Sequence, residues 1–348
     1  MKKLLIIFTF LFCCFAGLKL SVDAYMQKEV GVSSSTIIEI KKGSNLTFLA
    51  NELQKKGIIQ YPRLFVKIGQ FYGYANRLKY GEYEIIPEST YFDLFEKLVS
   101  GDNYRYPITL IEGDHIYSLA NQLEKRGLVS KQTFLNYIKN GKITLELLGM
   151  KVDSLEGYLF PDTYHFSKAD NVHTISKAMV DRFKEETKKL NLEQHGLNQH
   201  QVVTLASIIE KETGAGFERP LISSVFHNRL KKKMRLQTDP TIIYGIMNET
   251  GKEIKNIRKK DIKRPTAYNT YTINGLPPGP IGNPGIEAIK AAINPQNTNF
   301  LYFVSQNDGT HVFTTNYKDH LKAVKKYQLN SKAREGKSWR DLNKKRVK

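Results

Sequence analysis

Two glutamates close a hydrophobic stretch, "LASIIEKETG" at residues 205–214, and are the residues best placed to do chemistry. On a helical wheel of about 100° per residue, Val202, Leu205, Ala206 and Ile209 form one stripe, with Val203 and Ile208 at its edges. Glu210 falls beside Val203 and Ala206, Glu212 beside Leu205 and Ile208, and Lys211 opposite them, toward water. A carboxyl at such a border loses hydration, which raises its pKa toward neutrality. Cleavage of a glycosidic bond needs an acid of that kind, because the leaving oxygen must be protonated as the bond breaks. Periodicity does not choose between the two glutamates. The plainer reading, a helix-terminal glutamate paired with a lysine or arginine, competes with both.

A second acidic and aromatic run, "LEGYLFPDTYHF" at residues 155–166, alternates Glu156, Tyr158, Asp162 and Tyr164 with apolar residues around Pro161. Rings beside carboxylates suit sugar faces and hydroxyls, and equally suit an ordinary strand and turn. The eight histidines show no metal-ligand spacing and read as surface residues, so no metal or other cofactor is expected. The run "RLKKKMR" at 229–235 and the lysine-rich segment from Lys318 to Lys348 read as solvated faces.

The elements that must carry these residues are mixed. "IIEIKKGSNLTFLANELQKKGII" (37–59) returns 70 residues later as "PITLIEGDHIYSLANQLEKRGLV" (107–129), aligning Gly43 with Gly113 and Gly57 with Gly127. Each copy predicts a short strand, a Gly turn, a helix capped by Ser44 or Asp114 and ended by Gly57 or Gly127, and a following helix near Pro62–Gln70 or Lys131–Lys139. The first copy continues into a helix capped by Ser89, giving a compact module over 36–102. That module resembles a LysM-like domain, the small fold that binds N-acetylated glycans; a packing or spacer module fits the same pattern. The fold class is α+β throughout.

The chain has 348 residues, 41% hydrophobic and 25% charged, with room for two or three domains. Its formal net charge of +19 calls for an anionic partner. At the N-terminus, Lys2 and Lys3 precede an apolar run from Leu4 to Leu18, and the stretch to Val22 is just long enough to span a bilayer, with Lys19 able to snorkel. We read residues 1–25 as a retained anchor in preference to a signal peptide cleaved at "VDA". The positive-inside rule then puts everything after residue 25 on the extracytoplasmic side, which excludes nucleic acid as a partner. Both cysteines, Cys13 and Cys14, lie within the apolar run, so the exported part holds no disulfide framework.

The ordered motifs LEGYLFPDTY, ASIIEKET, ERPLISSVFHNRL, MRLQTDPT, YNTY, GLPPGPIGNPG and AAINP resemble the endolytic murein transglycosylase (YceG-like) family, and with the anchor and the module they cover nearly the whole chain. The resemblance makes residues 103–330 a YceG-like catalytic domain, followed by a basic tail at 331–348. It implies cleavage of the β-1,4 bond between N-acetylmuramic acid and N-acetylglucosamine in peptidoglycan, leaving a 1,6-anhydro end. It also assigns the catalytic carboxylate to Glu210, acting first as acid and then as base, with the substrate's own C6 hydroxyl as nucleophile.

Gln237, Thr238 and Asp239 in "LQTDP", and Tyr268, Asn269, Thr270 and Tyr271 in "YNTY", supply amide, hydroxyl, carboxylate and aromatic contacts for a sugar chain, while Asp239 equally suits a turn or cap before Pro240 and "YNTY" equally suits the core. Glu156 joins them as a site residue because its motif is shared with the family, whereas Glu218 precedes Arg219 and reads as its ion-pair partner. "GLPPGPIGNPG" must form a stiff loop, suited to the wall of a polymer-binding groove or to a structural connection. The resemblance further implies an enzyme of the inner (cytoplasmic) membrane that ends the elongation of nascent strands beside the peptidoglycan synthases, the penicillin-binding proteins. A wall hydrolase using a second carboxylate and a noncatalytic glycan-binding scaffold are the alternatives.

Overall fold

A computed structural model of the chain describes residues 2–330. The expected basic tail at 331–348 lies outside the described residues. The described residues divide into two compact units, 2–107 with His165–Asn171 and Ile108–Tyr164 with 172–330. Both are mixed α and β, as expected.

The first unit opens with helix α1 (Lys2–Met26), followed by β1 (Thr36–Ile40), α2 (Leu46–Lys55), α3 (Pro62–Phe71), β2 (Gly81–Ile85) and α4 (Tyr91–Ser100). Strands β1 and β2 pair antiparallel, with Ile38 opposite Tyr83 and Ile40 opposite Gly81. Period-2 alternation turns Ile38, Ile40, Tyr83 and Ile85 inward. Against them pack Leu49, Ala50 and Leu53 of α2, Phe65 of α3 and Phe95 of α4, with the Phe65 and Phe95 rings stacked at 4.1 Å. The last turn of α1 belongs to this core: Met26 is buried, and Tyr25 lies 4.9 Å from the Tyr91 ring.

The caps fall one residue later than the sequence reading put them. Asn45, not Ser44, accepts the Phe48 N–H, His115, not Asp114, accepts the Ser118 N–H, and Thr90, not Ser89, forms a capping box with Asp93. In both repeats the preceding glycine takes the left-handed turn, with φ of 85° at Gly43 and 81° at Gly113, so the first residue back in extended backbone, where a cap must stand, is shifted.

β3 (Tyr106–Thr109) forms a two-stranded sheet with β4 (Thr163–Phe166), and the chain passes between the units along both strands. The second unit continues with α5 (Ile116–Lys125), α6 (Lys131–Ile138), α7 (Gly141–Leu148) and α8 (Val172–Thr187). Both repeats are thus strand, helices, strand. Then come α9 (Gln199–Glu212), α10 (Arg219–Lys231), α11 (Asp239–Thr250), α12 (Lys259–Ile262) and α13 (Ile286–Ile293), the hairpin β5 (Tyr302–Ser305) and β6 (His311–Thr314), and α14 (Tyr317–Val324).

Helix α9 organises this unit. Asn198 starts it with a capping box to Gln201, and every residue from Val202 to Ile209 is buried. The expected single apolar stripe is therefore buried all round, because α10, α11 and α13 surround it. The helix ends where Thr213 becomes extended, which leaves Glu212 as its last residue.

Candidate active site

The two glutamates of α9 part company. Glu210 has only 5% of its side chain exposed and is tied at both oxygens: Arg219 Nη2 donates to Oε1 at 2.7 Å and the Gly285 N–H to Oε2 at 3.0 Å. Arg219 also reaches Glu112, at 3.7 Å. Glu210 is thus the helix-terminal ion pair that the plainer reading of the sequence describes.

Glu212 instead lines a cleft of about 390 Å³. Thr238 Oγ1 donates to its carboxylate. Burial, with Asp239 adding a like charge, pushes its pKa up to about 7, although the Thr238 hydrogen bond and the Arg229 charge act the other way. Gln237, Asp239 and Tyr271 share the cleft with it, as does Arg229. The far wall is aromatic, built by Tyr302 and Phe303 of β5 and by Tyr317 and His320 at α14.

Local folding explains this convergence. Gln237 stands in the left-handed region at φ 49°, which reverses the chain between α10 and α11. The "LQTDP" and "YNTY" segments are then stitched together: the Gln237 N–H donates to Thr270 O, the Thr238 N–H to Thr270 Oγ1 at 3.0 Å, and Thr241 Oγ1 lies 2.9 Å from Thr270 Oγ1. Tyr271 O–H donates to Asp239 Oδ1 at 2.7 Å, fixing both in the cleft. Arg229 is buried, donating from Nε to Leu301 O and from Nη1 to Leu236 O, with its guanidinium over the Tyr302 ring.

Of the sequence candidates, Gln237, Asp239 and Tyr271 line the cleft, and Thr238 acts on Glu212 from a buried position. Asn269 and Thr270 are wholly buried and hold the loop: Asn269 donates to Ile262 O and Arg264 O. Tyr268 packs against Tyr244 at 4.9 Å. None of these three lines the cleft, and a loop that must place Tyr271 needs its own polar groups satisfied internally.

Glu156 stands outside this cleft, in the interior of the unit. Only 1% exposed, it accepts the Ile116 N–H at the start of α5, Tyr244 O–H at 2.9 Å and Asn283 Nδ2 at 3.0 Å. Burial drives its pKa up to about 8. Both Glu156 and Glu212 are thus raised above an unfolded value near 4.5, so the folded state holds protons that the unfolded state has released. Stability contributed by these groups is full at low pH and falls as pH climbs from about 4.5 to 8. Thermal melts should therefore show Tm decreasing across that window, and Glu156→Gln, which cannot ionise and keeps an oxygen to accept from Tyr244 O–H, should flatten the slope.

Other readings also change. Glu218 does not pair with Arg219; it accepts the His311 N–H at 2.9 Å and lies 2.7 Å from His311 Nδ1. Several histidines are built in, not merely surface: His227 Nε2 meets Ala292 O at 2.9 Å and His200 Nε2 meets Pro278 O at 2.9 Å. The Gly/Pro loop is stitched into the core instead of walling the cleft, since the Ile281 N–H donates to Ser207 Oγ, and a Cβ on Gly282 would stand 2.7 Å from the Gly113 carbonyl oxygen. Sequence reasoning missed Arg229, Tyr302, Phe303, Tyr317 and His320. Arg229 falls in a basic run that reads as a solvated face, and the four aromatic and histidine residues carry no motif; the aromatic alternation in "FLYFVS" hints at Tyr302 and Phe303 alone.

The sequence profile of the YceG-like family matches residues 38–326, and the chain belongs to that family. It is 35% identical over 313 residues to the endolytic murein transglycosylase of Bacillus subtilis (strain 168), covering 85% of this chain and 86% of that protein. It is 29% identical over 343 residues to the endolytic murein transglycosylase of Streptococcus pneumoniae (strain D39), covering 90% of this chain and 61% of that longer protein. A crystal structure of a YceG-like protein from Listeria monocytogenes superposes with a TM-score of 0.57 at 28% identity, covering 84% of this chain and 100% of that one.

Proposed function

We propose that this chain is an endolytic peptidoglycan lytic transglycosylase that cuts the β-1,4 bond between N-acetylmuramic acid and N-acetylglucosamine, and that Glu212 is its acid and base. The observation that carries this reading is the buried Glu212 carboxyl, its pKa raised by burial, facing a cleft walled by Tyr271, Tyr302 and Phe303. The name shared by the relatives supports the substrate. The assignment moves the acid from Glu210, whose two oxygens are committed to Arg219 and Gly285.

Protonated Glu212 donates to the glycosidic oxygen as the C1–O4 bond breaks. Its carboxylate then takes the proton of the C6 hydroxyl as O6 bonds to C1, closing the 1,6-anhydro ring. The proton returns to Glu212 and no water is consumed. Arg229 and Thr238 steady the carboxylate between the steps, and the aromatic wall stacks on the sugar faces.

The apolar helix from Leu4 to Met26, long enough to cross a membrane, acts as a retained single-pass anchor with the cleft extracytoplasmic, beside the synthases whose strands are cut. The module over residues 36–102, from β1 to α4, serves as a LysM-like glycan-binding module. A second reading, hydrolysis, draws on Asp239 as another carboxylate in the same cleft. Incubating the full chain with peptidoglycan and weighing the products decides between them: 1,6-anhydro ends are expected, whereas new reducing ends would point to hydrolysis and intact strands to a noncatalytic scaffold.

A further inference from the structure

The first unit carries an apolar groove at the edge of its core. Phe15, Leu18 and Val22 of α1 form one wall, and Ile68, Phe71 and Tyr72, from α3 and the residue after it, form the other. It encloses about 400 Å³. Phe71 is 83% exposed, and Leu64, at seven residues' spacing on the same face of α3, is 42% exposed. Lys19 and Lys67 stand at the same groove, one from each wall.

The position of this groove along α1 is what identifies its occupant. A bilayer core of about 30 Å takes about 20 helical residues at about 1.5 Å each. Counted from Leu4, that length runs to about Asp23, past every α1 residue that lines the groove. Were the bilayer to stop short of α3, only the residues before Phe15 would span it, about half the length required. A spanning α1 therefore brings the exposed face of α3 into the membrane interface.

We propose that this groove is a lipid-binding site: α3 lies in the extracytoplasmic headgroup and acyl boundary with Phe71 and Leu64 inserted, and Lys19 and Lys67 hold the phosphate of an anionic phospholipid. The residue types match their depths. Aromatic rings favour the interface, and lysines extend their ammonium groups from apolar stems to the headgroups. The chain is then attached by a helix and a second, shallower contact, which restricts how the first unit can tilt about its anchor.

This inference rests on α1 being a retained anchor, and the two can fail separately. The full chain carrying Phe71→Trp and Trp339→Phe is reconstituted into phosphatidylglycerol vesicles containing phosphatidylcholine brominated near the carbonyl end of its acyl chains. Flotation of the vesicles tests the anchor first. Given co-flotation, tryptophan emission is expected to be quenched by the bromolipid, and quenching is expected to weaken when Lys19→Gln and Lys67→Gln are added or when phosphatidylglycerol is replaced by phosphatidylcholine. Co-flotation with unquenched emission overturns the membrane contact, and quenching indifferent to lipid charge and to both lysines overturns the headgroup site. A chain that does not float sinks the anchor reading itself.

Discussion

Glu212→Gln is expected to lower kcat on strand cleavage by on the order of 10³-fold, the effect of losing a general acid and base together. The amide keeps an oxygen to accept from Thr238 and is nearly isosteric, so KM and Tm should change little. A loss confined to kcat would separate chemistry from binding. Glu210→Gln should behave the other way. It exchanges a charged partner of Arg219 for a neutral one, so it lowers Tm while retaining much of the activity. Were Glu210→Gln the inactive variant and Glu212→Gln the active one, the roles proposed for the two glutamates would be reversed.

Arg219→Ala carries the largest expected effect on stability. It removes the cation from Glu210, whose side chain is 5% exposed and then keeps only the Gly285 N–H. Breaking a buried pair by deleting one partner costs about 3–5 kcal/mol, because the remaining charge is left uncompensated. For a chain of this size that corresponds to a fall in Tm of roughly 10 °C. The pair also pins the end of α9 to the start of α10, so the loss reaches Glu212 two residues on. Adding Glu210→Gln to Arg219→Ala should recover part of the Tm, since it removes the stranded charge. Were Arg219→Ala to melt as the parent does, Glu210 would not be held as described.

How much of this was legible in the sequence follows from what each pattern encodes. The repeat, its Gly turns and its helices were readable because apolar periodicity and glycine report local backbone conformation directly. In the two repeats the caps fall one residue late because the left-handed glycine displaces the first extended position, which periodicity does not report. Both glutamates of α9 were visible as border carboxylates. Choosing between them required the partners, Arg219 and Gly285 for one and Thr238 for the other, and helical periodicity carries no information about residues that arrive from other elements. The cleft's far wall was invisible for the same reason: Tyr302, Phe303, Tyr317 and His320 lie 90 or more residues beyond Glu212 and meet it only through tertiary folding. The burial of Glu156 was not legible either, because a buried carboxylate that caps a helix and one that faces a cleft look alike in a string of letters.

The most direct test of the account is the pH dependence of kcat/KM in the parent and in Thr238→Val. With Glu212 as the acid, activity requires its protonated form, and the profile should fall as pH rises through about 7. Thr238 donates to the carboxylate and so favours the charged form. Removing that hydroxyl with an isosteric side chain should raise the Glu212 pKa and carry the descending limb to higher pH. A limb that stays in place in Thr238→Val would show that the titrating acid is some group other than Glu212.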